Sequence, residues 1–129
     1  YEVRDRIKIM DYTSELWSWF KVSNVFVSIS NYEGKPNTVL EAVATKCPVV
    51  ISDIPEHREI LDENSSCFVT VSDIKAIAAG IIKALSDPDE AKHKAENAYN
   101  KVKIWSTETV ADKYIEFYHK LLNQKGFNL

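Results

Sequence analysis

Val25-Phe26-Val27-Ser28-Ile29-Ser30-Asn31-Tyr32-Glu33-Gly34-Lys35-Pro36-Asn37-Thr38-Val39-Leu40-Glu41-Ala42 is the stretch that decides the fold. Its first five residues are β-branched, aromatic or small, and nearly all apolar. That composition suits a strand buried on both faces, as in a parallel sheet. The chain then breaks, turns at Gly34 and enters a helix near Pro36. A buried strand that hands directly to a helix is one half of a βαβ unit.

The same alternation continues on both sides. Pro48-Val49-Val50-Ile51-Ser52 and Cys67-Phe68-Val69-Thr70-Val71 follow as strand-like runs, and Ile7-Lys8-Ile9-Met10 precedes. Residues 14–21, 37–46 and 56–61 lie between them and place apolar side chains at helical spacing. Strands alternating with helices predict an α/β parallel sheet with helices on both faces. After Val71 the strands stop. Asp73 is placed to cap a helix reaching about Ser86, with Ile74, Ile77, Ala78, Ile81 and Leu85 on one face. Asp87-Pro88 opens the next helix, with Pro88 in its first turn. Ser106 caps a last one, in which Val110, Tyr114, Phe117, Tyr118 and Leu121 fall together. Residues 1–122 read as one domain and 123–129 as a frayed tail.

Composition narrows the function. The 129 residues can build one core. A formal net charge of −3 argues against a general nucleic-acid binder, which needs a basic footprint. Cys47 and Cys67 have no metal-ligand spacing and read as buried reduced thiols, which suits a cytoplasmic protein. No apolar run is long enough to span a bilayer, and no signal peptide is visible. The chain starts with Tyr1 rather than Met, so it reads as cut from something longer.

In open parallel sheets, ligands collect beyond the carboxyl ends of the strands. The helix that starts near Pro36 offers unpaired amides and a partial positive charge there. That makes an anion site without basic side chains. The expected donors are the amides of Lys35, Asn37, Thr38 and Val39; Pro36 has no N–H. Glu33 and Glu41 flank the turn. As acceptors they suit the hydroxyls of a ligand that also carries phosphate. A helix-terminal charge interaction for Glu41 and a solvated loop position for Glu33 are the plainer alternatives.

Glu33 and Glu41 stand with seven residues between them. That spacing resembles the E-x7-E motif of retaining glycosyltransferases of family 4, which have the GT-B fold. Other segments match the family in order. They are Asp5-Arg6-Ile7-Lys8-Ile9-Met10-Asp11-Tyr12, Ser23-Asn24-Val25-Phe26-Val27-Ser28-Ile29-Ser30, Glu33 through Ala42, Cys47-Pro48-Val49-Val50, and Ser52-Asp53-Ile54-Pro55-Glu56-His57-Arg58-Glu59-Ile60. The resemblance implies a Rossmann-like, nucleotide-sugar-binding domain, here an incomplete C-terminal domain of a GT-B fold. It implies that Glu33 contacts the transferred sugar and is the catalytic residue. It implies that Glu41 holds the ribose, and that Ser30, Gly34, Lys35, Asn37, Thr38 and Val39 complete the donor site. It implies a nucleoside-diphosphate sugar as donor, no cofactor, no metal, and a glycan or glycolipid acceptor reached through an absent N-terminal domain. The intact enzyme would be cytoplasmic, with a peripheral membrane contact, and would serve polysaccharide biosynthesis. A non-catalytic sugar-nucleotide module and an epimerase of the same architecture are the rival functions.

The departures carry expectations of their own. Lys46 stands where the family has Gly, which implies a left-handed residue at a helix end. Ile29 replaces Pro, and Lys35 replaces an aromatic residue. Glu56 and His57 replace glycines. The family's first strand–helix pair, with its diphosphate-clamping Arg and Lys, has no counterpart, so the fragment alone is expected to be inactive. In the family order 3-2-1-4-5-6, 7–10 is strand three and 25–29 strand four. The second would then expose an apolar edge, which invites self-association or a reordered sheet. His57, His93 and His119 read as surface residues, Arg58 as the partner of Glu56 or Asp62, and Trp17, Trp19 and Trp105 as core or rim.

Overall fold

The computed structural model describes residues 3–124. Three parallel strands lie side by side in chain order: β1, Phe26–Ser28; β2, Val49–Ser52; and β3, Cys67–Val69. Val27 stands opposite Val50, and Ile51 opposite Phe68. The helices are α1, Leu16–Val22; α2, Asn37–Ala44; α3, Pro55–Arg58; α4, Ile74–Ser86; α5, Pro88–Val102; and α6, Thr107–Gln124. This is the small α/β domain with a helix-flanked parallel sheet that the sequence predicts.

β2 is the central strand, and all four of its residues are buried. Side chains alternate along it, so it has two interiors to fill. Val49 and Ile51 join Phe20, Val39, Ala42, Val43, Leu61, Ala98 and Val102 in the main core, built with α1, α2 and α5. Val50 faces the other way, toward α4. There Gly80 is buried, and a Cβ built on it would stand 2.8 Å from Val69 Cγ1, 3.2 Å from Cys67 Sγ and 3.4 Å from Val50 Cγ1. The missing side chain is what lets α4 press against the sheet. This corrects the face expected for α4. Ile74 and Leu85 are exposed, while Gly80 is the buried residue of the helix. Ile77 and Ile81 of the expected face are half-buried, so the face is turned toward Gly80, where the close approach sets it, and not replaced.

The run Ile7-Lys8-Ile9-Met10 is not a strand. A 3₁₀ turn covers Arg4–Arg6, and residues 7–10 continue without regular structure, with Ile9 92% exposed. A strand exists by its ladder, and this segment pairs with none. In the family order its neighbour would be strand two, and no such strand lies among the described residues. The remaining strands keep the family order rather than reordering, and β1 pairs only with β2 among the described residues. α6 runs to Gln124, past the expected boundary at 122; residues 125–129 lie outside the described ones.

The expected caps form. Asp73 accepts from the amides of Lys75 and Ala76 at 2.9 and 3.0 Å, and Asp87 from that of Glu90 at 3.0 Å. Ser106 Oγ accepts from the Thr109 amide at 3.2 Å. Lys46 is left-handed, with φ 59°. The Cys47 amide reaches back to the Ala42 carbonyl at 3.1 Å and the Lys46 amide to that of Val43 at 2.9 Å. Those two bonds are a Schellman ending for α2. Lys46 Nζ lies 2.8 Å from Glu96 and over the Tyr99 ring, which ties the turn to α5.

Cys47 is buried, and burial pushes its thiol up. Cys67 is only half-buried, contrary to expectation, because it borders a small cavity of about 40 Å³ under α4 and α5. Trp17 and Trp19 stand 47% and 42% exposed; Phe20 is the residue by which α1 enters the core.

Two stability predictions follow from these turns and contacts. Lys46→Gly and Lys46→Ala both lose the Glu96 pair, but only alanine keeps a Cβ in the left-handed region. The glycine variant should therefore be more stable by about 1 kcal/mol in denaturant titration. Gly80→Ala should destabilise the domain even though alanine favours helices by about 1 kcal/mol. The overpacking cost of about 1–3 kcal/mol against Val69 outweighs that gain. A rise in melting temperature for Gly80→Ala would show that α4 can move away from the sheet.

Candidate functional site

The site begins where β1 runs out. The last paired residue of β1 is Ser28, opposite Ile51, and two residues on the Ser30 amide donates to Ser52 Oγ at 3.0 Å. Ser52 is fully buried at the end of β2. Ser30 Oγ then donates to Glu33 Oε1 at 2.6 Å. A short bond to an ionised acceptor is among the stronger kinds. Glu33 is half-buried and held by this contact.

Gly34 follows. A Cβ at this position would meet nothing within 4 Å, and the backbone is not in the left-handed region. The fold itself therefore does not demand glycine here. What glycine supplies is an open face on which a ligand can approach the main chain. Pro36, with φ −78° and ψ 63°, is the centre of an inverse γ-turn, closed by the Asn37 amide donating to the Lys35 carbonyl at 2.8 Å. That turn launches α2. It also occupies the Asn37 amide, one of the four expected anion donors. The Leu40 amide donates to the Pro36 carbonyl at 3.0 Å. The amides of Thr38 and Val39 have no acceptor among the described residues, as the first turn of a helix dictates.

Glu33, Lys35, Asn37, Thr38 and Val39 line one cleft of about 350 Å³, with Phe26, Ser28 and Pro36 completing its wall. Glu41 does not open into it. It lines a second cleft of about 300 Å³ with Trp17, Asn37, Leu40, Ala44, Val102 and Trp105. Asn37 borders both. The two glutamates thus stand on two sides of the start of α2, with Asn37 between them.

Sequence reasoning missed the support beneath this loop. His57 is fully buried rather than on the surface. Its Nδ1 lies 2.8 Å from the Ser52 carbonyl and 3.4 Å from Ser52 Oγ. A carbonyl only accepts, so Nδ1 carries the proton and donates. Nε2 is buried without a protein partner. The available signal was Ser52 itself, a polar residue at the end of an otherwise apolar run that needs a partner once buried. Arg58 pairs with Asp53 at 2.6 and 3.0 Å and with Glu63, not with Glu56 or Asp62, and its guanidinium stacks 3.9 Å over Phe68. The hydrogen bonds from Arg58 hold the Asp53 and Glu63 carboxyls below their usual range, and those carboxyls push its own pKa up. Asp62 pairs with Lys101. His93 and His119 are exposed, as expected.

A wider polar groove of about 620 Å³ lies between α5 and the loop at 62–64. Its polar groups are largely spent on the protein. Lys94 Nζ donates to the Ser66 carbonyl at 3.0 Å, and Asn97 Nδ2 to the Asn64 carbonyl at 2.9 Å. Among the described residues no group of three or more His, Cys, Asp or Glu side chains could hold a metal ion. No described helix is long and apolar enough to cross a membrane.

The chain is 30% identical over 120 residues to a lipopolysaccharide core biosynthesis mannosyltransferase, LpcC, of Rhizobium leguminosarum bv. viciae, a match covering 92% of this chain and 34% of that protein. It is 24% identical over 121 residues to the UDP-Gal:alpha-D-GlcNAc-diphosphoundecaprenol alpha-1,3-galactosyltransferase of Escherichia coli, covering 88% of this chain and 31% of that one. The chain therefore spans about a third of the length of these relatives. Among solved structures, a sucrose-phosphate synthase from Thermosynechococcus elongatus superposes with a TM-score of 0.74 at 26% identity, over 82% of this chain and 27% of that one. The family model described as Glycosyl transferases group 1 matches residues 1–101, and with the parallel sheet and its strand-end clefts it shows that this chain belongs to the glycosyl transferases group 1 family, as a glycosyltransferase domain of the GT-B fold.

Proposed function

We propose that this chain is the donor-binding part of a retaining glycosyltransferase of family 4, which moves a sugar from a nucleoside diphosphate to a glycan or glycolipid. The start of α2 carries the proposal. Two first-turn amides, those of Thr38 and Val39, have no acceptor among the described residues, and both residues line a cleft that Lys35 and Glu33 also line. Amides and a cation suit the diphosphate, where negative charge grows as the sugar leaves. A carboxylate suits sugar hydroxyls, to which it can only accept.

In this reading Glu33 is the catalytic residue and holds the transferred sugar. Glu41 binds the ribose hydroxyls from the second cleft, whose Trp17 and Trp105 offer flat apolar faces for stacking. Asn37, bordering both clefts, sits where the diphosphate would pass from one to the other. Ser30 and Gly34 complete the donor site, the first through Glu33 and the second by leaving the main chain open. The reaction itself needs fixed dipoles and no metal. An acceptor would enter from a second domain, so this segment alone should show no turnover. The activities of the relatives, in lipopolysaccharide core biosynthesis and on a diphosphoundecaprenol-linked sugar, favour a lipid-linked glycan as acceptor.

Calorimetric titration of the full-length protein with UDP-, GDP- and ADP-sugars should identify one base. Glu41→Ala should then weaken nucleotide binding about ten- to hundred-fold, the loss of one charge-assisted hydrogen-bond set. Unchanged affinity would remove Glu41 from the ribose. Glu33→Ala should behave differently. It should lower turnover on the order of 10²-fold while the bare nucleoside diphosphate still binds. Equal losses in binding and turnover would take Glu33 away from the sugar.

A further inference from the structure

The Glu33 carboxylate is not held by its own loop alone. Its Oε1 accepts from Ser30 Oγ at 2.6 Å. The Ser30 backbone is in turn fixed by its amide donating to Ser52 Oγ at 3.0 Å, across 22 residues of sequence. Ser52 belongs to the next strand and is fully buried. Its carbonyl accepts from His57 Nδ1 at 2.8 Å, and His57 is fully buried too. Four residues from three elements form one line that starts in the interior and ends on the carboxylate in the cleft. A buried imidazole and a buried hydroxyl are costly to keep unless they are paired. Here the Nδ1 side of the imidazole is spent on the Ser52 carbonyl, and the Ser52 hydroxyl on the Ser30 amide.

We propose that Ser30, Ser52 and His57 are positioning residues that fix Glu33 in one rotamer. This rests on the assignment of Glu33 to the transferred sugar. With Oε1 taken by Ser30, Oε2 is left without a hydrogen bond among the described residues, on a side chain that lines the cleft. Without that bond the side chain is a flexible loop glutamate, and an acceptor misplaced by about 1 Å can lose on the order of 10²-fold in rate.

The test is a mutant cycle in the full-length protein. Turnover of the donor sugar and calorimetric affinity for bare UDP, GDP or ADP, whichever the protein binds, are measured side by side. Ser30→Ala should lower kcat about ten- to hundred-fold and leave nucleoside diphosphate affinity within about twofold. Ser30→Thr, which keeps the hydroxyl, should restore most of the rate. Combining Ser30→Ala with Glu33→Ala should cost nothing beyond Glu33→Ala alone, since residues acting through one another are not additive. Ser52→Ala should show the same split between turnover and binding; if it folds poorly, the partly buried Ser30 carries the test. Additive losses, a parallel fall in nucleoside diphosphate affinity, or normal turnover in Ser30→Ala beside an impaired Glu33→Ala would each overturn the positioning role alone. Normal turnover in Glu33→Ala would instead overturn the assignment of Glu33 itself.

Discussion

A strand buried on both faces has to dispose of its polar groups where it ends. β2 reaches that point at Ser52, whose side chain has no solvent and whose backbone leaves the ladder. The solution is local. The Ser52 carbonyl takes the Ile54 amide at 3.0 Å and the His57 imidazole at 2.8 Å, while its hydroxyl takes the Ser30 amide. The Asp53 amide returns to the Val69 carbonyl at 2.9 Å. One serine therefore closes the end of β2, steers the exit of β1 and seats α3. The cleft above inherits its shape from this, because the exit of β1 is the loop that carries Glu33.

The second constraint is the sharp entry to α2. Strand and helix are separated by a loop whose last turn is the γ-turn at Pro36. Proline fixes φ near the value that turn needs and donates nothing that would be lost. The helix then starts with bare amides at the strand end, where the sheet's architecture already makes a crevice. Its other end is secured by the Schellman bonds through Lys46 and by the pairing of Lys46 with Glu96 on α5. α2 is short but held at both ends. Its buried face of Val39, Ala42 and Val43 locks its rotation against Val49 and Ile51. That rotation sends Glu41 to one side of the helix start and leaves the loop carboxylate on the other.

Much of this was legible in the sequence. Period and composition located β1, β2, β3 and the helices, because buried parallel strands write themselves as apolar runs. Asp73, Asp87 and Ser106 were legible as caps, since their side chains answer to neighbours two or three residues away. What failed was long-range. Ile7 to Met10 has the composition of a strand, but a strand is defined by a partner that local sequence does not display. The face of α4 was misjudged because ten apolar or small residues surround it, and only the sheet's need for a close approach singles out Gly80. His57 reads from sequence as a surface residue because a short helix after Pro55 resembles a surface turn. Its burial depends on Ser52, a contact that a one-dimensional pattern does not show. Within the site, grouping Glu33, Lys35 and the amides of Thr38 and Val39 followed from the turn alone. The separation of Glu41 into its own cleft did not.

That separation gives the arrangement its chemical sense. A phosphate beside two carboxylates would meet more repulsion than beside one, and in the proposed reading the Lys35 cation and the bare amides offset the single carboxylate of the Glu33 cleft. With the glutamates on opposite sides of the helix start, each faces its own cleft. The bare amides and Lys35 lie on the Glu33 side, and Asn37 stands at the crossing. In the proposed reading, a ligand that reached from one cleft to the other would carry hydroxyls at each end and negative charge in the middle. A nucleoside-diphosphate sugar has that order: ribose, diphosphate, sugar. A mononucleotide would satisfy only one carboxylate, and a neutral disaccharide would leave the amides of Thr38 and Val39 without a charged acceptor. In the proposed reading, the order of groups from Glu33 and Lys35 through the start of α2 to Glu41 selects for the class of ligand more strongly than any one contact does.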